Sequence, residues 1–195
     1  MPLNIQEDVE KWFKTNKFSY WTPDQILTKL DEESGELSSE LNSRFGPNKK
    51  KPADETREIG HELSDVLFAL TCFANSHKID LTTAFLTVRP HYTNGNGVGT
   101  IETLKDLQRQ MGSLRIAYHD PLKMNREIII MKGRFAEVLK NKEQYQTGNV
   151  TERVGDLLVS TVALAHVQNI DLSKAWDEKM SIRYGRDKGR FEQKL

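Results

Sequence analysis

The feature that most restricts this chain is a segment that it contains twice. ELSDVLFALTCFANSHKIDLTTAF, from Glu62, aligns without a gap with RVGDLLVSTVALAHVQNIDLSKAW, from Arg153. The offset is 91 over 24 positions, and seven are identical: Asp65/Asp156, Leu67/Leu158, Ala74/Ala165, Ile79/Ile170, Asp80/Asp171, Leu81/Leu172 and Ala84/Ala175. Most of the others are apolar in both copies. Upstream the offset is 98, pairing Tyr20 with Tyr118, Pro23 with Pro121, Gly35 with Gly133, Leu37 with Phe135 and Leu41 with Leu139. The step from 98 to 91 shortens the loop between the paired helices in the second copy, and GPNKKKPAD belongs to the first alone. Two amphipathic halves can look alike by chance. Ungapped agreement through a helix, an IDL turn and a further helix favours duplication instead. Such a chain folds as two helical units packed together as the subunits of a dimer would be. The expected boundaries are 1–93 for the first unit, 94–100 for a linker and 101–195 for the second.

Between the Gly and Pro clusters, apolar residues recur every three or four positions. Ile5, Val9, Trp12 and Phe13 mark a first helix. Thr22-Pro23 reads as a cap followed by proline at the first helical position. The helix it opens carries Ile26, Leu27, Leu30, Leu37 and Leu41 and should stop before Gly46-Pro47. A third helix is expected from about Asp54 to His77. It is apolar nearly all round from Leu63 to Ala74, and therefore buried. Asp80 caps a shorter fourth helix. Ile128 to Ile130 have the β-branched look of a strand, but Met124, Ile128, Met131, Phe135, Val138 and Leu139 keep helical spacing. No run of period-2 strands competes. The expected fold class is all-α, a helical bundle of two repeats forming a pseudo-dimer.

Composition narrows the function classes. Apolar residues make up 37% and charged residues 29%, too apolar for a disordered chain and too charged for a membrane protein. No apolar stretch reaches the roughly 20 residues that a span needs. MPLNIQEDVEKWF lacks the basic-then-apolar pattern of a secretory leader, so a cytoplasmic protein with no membrane partner is expected. Cys72 alone excludes an intramolecular disulfide framework and a Cys-rich zinc site, and reads as a small buried apolar residue. Lys and Arg number 28, as do Asp and Glu, which argues against a nucleic-acid groove. The balance conceals a separation. Residues 31–40 hold five acids and no base, whereas 179–195 hold six Lys or Arg against two acids.

The chemistry lies in the first half. In LDEESGELSSEL, Glu33 and Glu36 share a helix face at i, i+3. In GHELSDVLF, Glu62 and Asp65 have the same spacing, and Asp65 sits among Leu63, Val66 and Leu67 on the buried helix. A buried carboxylate without a partner costs several kcal/mol. Two helices that each present a carboxylate pair can supply four oxygen donors to one hard divalent cation, Mg²⁺ or Mn²⁺ rather than zinc. Glu32 and Glu40 read as a solvated face. Glu58-x-x-His61 has the form of half a di-iron site, but no second ExxH occurs. NGNGVG is not followed by Lys-Ser/Thr and is no phosphate loop; no G-x-S-x-G appears.

KLDEESGELSSEL followed by GHELSDVLFALTCFANSHKIDL, with WTPDQILTKL upstream, resembles the MazG family of all-α nucleoside triphosphate pyrophosphohydrolases, near its dCTP-pyrophosphatase-like branch. The likeness covers roughly residues 5–90 and is weaker over 101–195. It implies hydrolysis of an NTP or dNTP to the monophosphate and pyrophosphate. It also implies that the family's four acidic metal ligands fall on Glu33, Glu36, Glu62 and Asp65. The related phosphoribosyl-ATP pyrophosphatase activity is an alternative, and a non-catalytic helical interaction module is another. The family's habit points further to a homodimer of such pseudo-dimers.

Under the repeat offsets, Glu33 corresponds to Met131, Glu36 to Arg134 and Glu62 to Arg153, and Asp156 alone keeps its carboxylate. The expectation is one catalytic half and one degenerate half that serves as a built-in partner. Bound Mg²⁺ would bridge carboxylates and phosphate oxygens. Glu33 or Glu36 could take the proton of the attacking water; the sequence does not choose between them. Lys179 and Arg183, in a KMSIRY that is similar to the family's K…RY ending, are expected to reach the phosphates; a solvated basic tail is the competing reading. Trp21 is a candidate for stacking on the base, or else a core aromatic. Asn75 is a candidate for bonding base or sugar, or else a satisfied structural amide.

Overall fold

A computed structural model describes residues 2–49, 58–93, 99–117, 119–140 and 147–186. The described residues form helices and contain no strand. The Lys50–Lys51 part of the basic loop, the linker core 94–98, Tyr118, and Lys188, Arg190 and Lys194 of the basic tail lie outside them.

Helix α1 spans Asn4–Asn16 and buries Ile5, Val9, Trp12 and Phe13. Helix α2 spans Pro23–Phe45, and its start is a full capping box. Thr22 Oγ1 accepts from Gln25 N, Gln25 Oε1 accepts from Thr22 N, and Pro23 occupies the first turn, where no N–H is needed. Helix α3 spans Ile59–Ser76 and is preceded by an extended Glu58, with φ −130° and ψ 140°; the expected start near Asp54 lies outside the described residues. Helix α4 spans Leu81–Tyr92 and is capped by Asp80, whose Oδ1 accepts from Thr83 N at 2.6 Å. A short α5, Leu104–Gln110, is followed by a 3₁₀ turn, Met111–Ser113. Helix α6 spans Pro121–Lys140 and includes Ile128 to Ile130, α7 spans Thr147–Val167, and α8 spans Leu172–Arg186.

The packing has internal counterparts. Helix α2 packs on α3 as α6 packs on α7; α3 packs on α8 as α7 packs on α4; α1 packs on α3 as α5 packs on α7. Helices α2 and α6 also meet each other, as do α3 and α7, along the middle of the bundle. Buried apolar side chains from all of these helices form one continuous core. At the α4–α7 crossing the backbones come very close. A Cβ on Gly155 would stand 2.3 Å from the Ala84 carbonyl oxygen, so only a residue without a side chain fits.

The turns repeat in detail. Lys78 and Asn169, at the 91-residue offset, both adopt the left-handed conformation, with φ 57° and 53°. Ile79 N donates to Ala74 O at 2.8 Å, and Ile170 N to Ala165 O at 2.9 Å. Gln6 of α1 clamps the first IDL turn, accepting from Leu81 N and donating to Ile79 O. Gln108 of α5 does the same at the second, with Leu172 N and Ile170 O. Each clamp satisfies backbone groups that a helix start would otherwise leave unpaired.

Candidate active site

Side-by-side packing of α2 and α3 points ExxE and ExxD at one space. Glu33 lies on the inward stripe of α2 with Leu30 and Leu37, and Glu62 and Asp65 lie on the all-round buried α3. Glu33, Glu62 and Asp65 are only 5%, 3% and 5% exposed. One carboxylate oxygen from each lies within 4.8 Å of the others; among the described residues this is the one such trio. Burial, then the charge of Asp65, raises the pKa of Glu33 above the ordinary carboxylate value, against the opposing pull of Lys29, whose Nζ lies 2.7 Å from Glu33 Oε1. Glu36, three residues on and half-buried, lines the same space outside the trio.

That space is a cavity of about 490 Å³, which brings together Trp21, Glu33, Glu36, Asp65, Lys179 and Arg183. The two cations come from α8, in the second half of the chain, and both ion-pair with Asp65. The Arg183 guanidinium also lies 3.8 Å from the centre of the Phe68 ring, a cation–π contact inside the protein. Trp21 is part of an aromatic cluster, 6.0 Å from Phe13 and 6.3 Å from Phe68 between ring centres, and still presents surface to the cavity.

Asn75 is not brought to this cavity. Its Nδ2 donates to Gln6 O and Tyr20 Oη, and its Oδ1 accepts from Gln6 Nε2. The amide is consumed in tying α1 and the Tyr20 segment to α3. Seven lining residues were not expected there, Lys29, Phe68, Trp12 and Arg186 among them; Glu32, expected on a solvated face, is another, and Glu40, expected on the same face, is buried against Arg44. Lys29 stands four residues before Glu33 and Phe68 three after Asp65, so helical spacing alone places both on the acidic faces.

The donor set suits a hard divalent cation. Three buried carboxylates offer oxygen ligands within reach of one centre, and a positive ion bound there would relieve their mutual repulsion in a low-dielectric setting.

Asp156, on the buried α7, has different surroundings. Asp156 meets Arg153, with Nη1 to Oδ2 at 2.7 Å, and accepts from Tyr92 Oη at 3.2 Å. Burial raises the pKa of Asp156, and the Arg153 charge opposes the shift.

The model of the MazG nucleotide pyrophosphohydrolase domain matches residues 21–93, a span that contains Glu33, Glu36, Glu62 and Asp65. The Bacillus subtilis (strain 168) protein YpjD is 38% identical over 81 residues, which is 42% of this chain and 73% of that protein. The chain belongs to the MazG nucleotide pyrophosphohydrolase family. No solved structure matches it. The MazG match ends at residue 93, so Lys179 and Arg183 reach the cavity from outside the matched span. No described helix is long and apolar enough to cross a membrane.

Proposed function

We propose that this MazG-family chain hydrolyses a nucleoside or deoxynucleoside triphosphate to the monophosphate and pyrophosphate, with Mg²⁺ or Mn²⁺ held by Glu33, Glu36, Glu62 and Asp65. The observation that carries this reading is the buried carboxylate trio, of which Glu33 and Asp65 open on the cavity and Glu62 lies behind them, beside two cations that come from another helix. A bound cation would neutralise phosphate charge and polarise the phosphoryl oxygens. The chain's own side chains do the rest. Lys179 and Arg183 hold the outer phosphates and orient the triphosphate. Lys29 fixes the rotamer of Glu33. Of the two candidate bases, Glu33 is buried in the trio and Glu36 lies outside it, so Glu36 keeps one carboxylate oxygen for the proton of the water that attacks phosphorus as the bond to pyrophosphate breaks, while its other oxygen would face the cation. The exposed part of Trp21 offers a π face to the base.

In this reading residues 1–93 are the catalytic repeat, 94–100 the linker, and 101–195 a degenerate MazG-like repeat that lends α8 to the first. The matched left-handed turns and the two glutamine clamps support the duplication. The dCTP-pyrophosphatase-like branch, a cytoplasmic location and a homodimer of pseudo-dimers complete the proposal. The test is to incubate the chain with a panel of NTPs, dNTPs and phosphoribosyl-ATP plus Mg²⁺ and to identify the products. Pyrophosphate with a nucleoside monophosphate is the expected pair. Turnover of phosphoribosyl-ATP alone would move the chain to that activity. No turnover of any nucleotide would leave a non-catalytic helical module.

A further inference from the structure

A second cavity, of about 300 Å³, lies where α4 ends, between α6, α7 and the segment Arg115–Ala117. Under the repeat correspondence it is the partner of the catalytic cavity: α6 takes the place of α2, α7 that of α3, and α4 that of α8. Its chemistry has changed throughout. Met131 stands for Glu33, Glu127 for Lys29, Val159 for Phe68 and Tyr92 for Arg183, and all four line it. The remaining carboxylate, Asp156, is met by Arg153 and Tyr92, and among the described residues it belongs to no carboxylate cluster that could hold a metal.

We propose that this cavity is a metal-independent binding site for a nucleoside monophosphate. The inference rests on the tandem-repeat reading above. Its walls are Met124, Met131, Ile116, Val159 and Ala163, and two of the chain's five methionines face this space. Polarisable thioethers pack well against an aromatic base. The rim carries His91, Arg115 and Glu127. Arg134, in the place of Glu36, is exposed and sets its guanidinium 3.7 Å from Met131 Sδ. Arg115 lines the cavity and Arg134 stands just outside its lining, against Met131; two arginines that never lose their charge match the roughly −1.5 to −2 charge of one phosphate group, and fall short of what a triphosphate would require without a metal. Glu127 can accept from an exocyclic amino group. The size, at the small end for ligand pockets, suits the same ligand. That ligand is also the product of the proposed reaction, so the site would sense product.

The test is calorimetric titration of the full chain with a panel of nucleoside and deoxynucleoside monophosphates in EDTA, with inorganic phosphate as a control. The expected result is saturable binding of at least one monophosphate, at least tenfold weaker in Met131→Trp, which fills the cavity, and in Arg134→Ala. Thermal unfolding of both variants checks the fold, and Arg134→Ala, at an exposed position, keeps the test open if Met131→Trp fails to fold. Binding should survive Trp21→Ala and Glu33→Gln. Absence of binding to the unaltered chain in EDTA overturns the proposal. So does binding that Trp21→Ala abolishes and Met131→Trp leaves intact, which would place the ligand in the catalytic cavity. Triphosphate turnover with Mg²⁺, measured on the same preparation, reports on the proposed reaction separately, so either idea can fail without the other.

Discussion

Asp65 and Asp156, 91 residues apart, both sit on buried helices that pack in similar ways, yet their surroundings differ. Asp65 faces two more buried carboxylates and two cations that come from a different helix. Asp156 faces an arginine three residues before it on its own helix and a tyrosine hydroxyl from α4. A like-charge cluster binds a cation; an i, i+3 ion pair closes on itself. The same helical frame can therefore carry a candidate metal centre on one side and a sealed pair on the other. On the proposed duplication, Met131, Arg134 and Arg153 stand where the first half has Glu33, Glu36 and Glu62.

The contrast is open to attack from several sides, beginning with the largest effect. Glu36→Gln should lower turnover at least about 100-fold in a pyrophosphate-release assay, the usual cost of losing a general base. Lys179→Ala and Arg183→Ala should each raise KM for the triphosphate by about ten- to a hundredfold, because a charge-assisted hydrogen bond contributes about 1.5–3 kcal/mol and 1.4 kcal/mol is a factor of ten. Unchanged kinetics in both would detach the second half from catalysis. Gly155→Ala should destabilise the fold by about 1–3 kcal/mol in urea unfolding, since its Cβ would collide with the Ala84 carbonyl at the α4–α7 crossing. The smallest effect belongs to the paired glycines Gly35 and Gly133, where an added Cβ meets nothing within 4 Å. Alanine at either should stabilise by about 0.5–1 kcal/mol, and equally in both halves if the helices are true counterparts.

Much of this was legible in the sequence because its signals are local. The capping box at Thr22, the apolar stripe of α2 and the all-round apolar α3 are written in spacing and residue type. So were the two i, i+3 acid pairs, which two packed helices turn toward each other. What escaped depends on contacts between distant segments. Helix α5 has only seven residues, too short for a periodic pattern, and its clamp residue Gln108 pairs with Gln6 at an offset of 102, which neither repeat register shows. Nothing local in the sequence marks Glu58 as extended ahead of α3. Asn75 looked available because its partners, Gln6 and Tyr20, lie 69 and 55 residues away. Lys29 and Phe68 were within reach of helical spacing. Their importance rests on the inward rotation of the two acidic faces, which only the packed bundle displays.

The most direct measurement sets the two aspartates side by side: the rate of pyrophosphate release from a triphosphate with Mg²⁺ in Asp65→Asn and in Asp156→Asn, each checked for folding by thermal unfolding. The catalytic assignment predicts a loss of at least about 100-fold in Asp65→Asn and a rate within about threefold of the unaltered chain in Asp156→Asn. Equal losses in two folded variants, or full activity in Asp65→Asn, would contradict it.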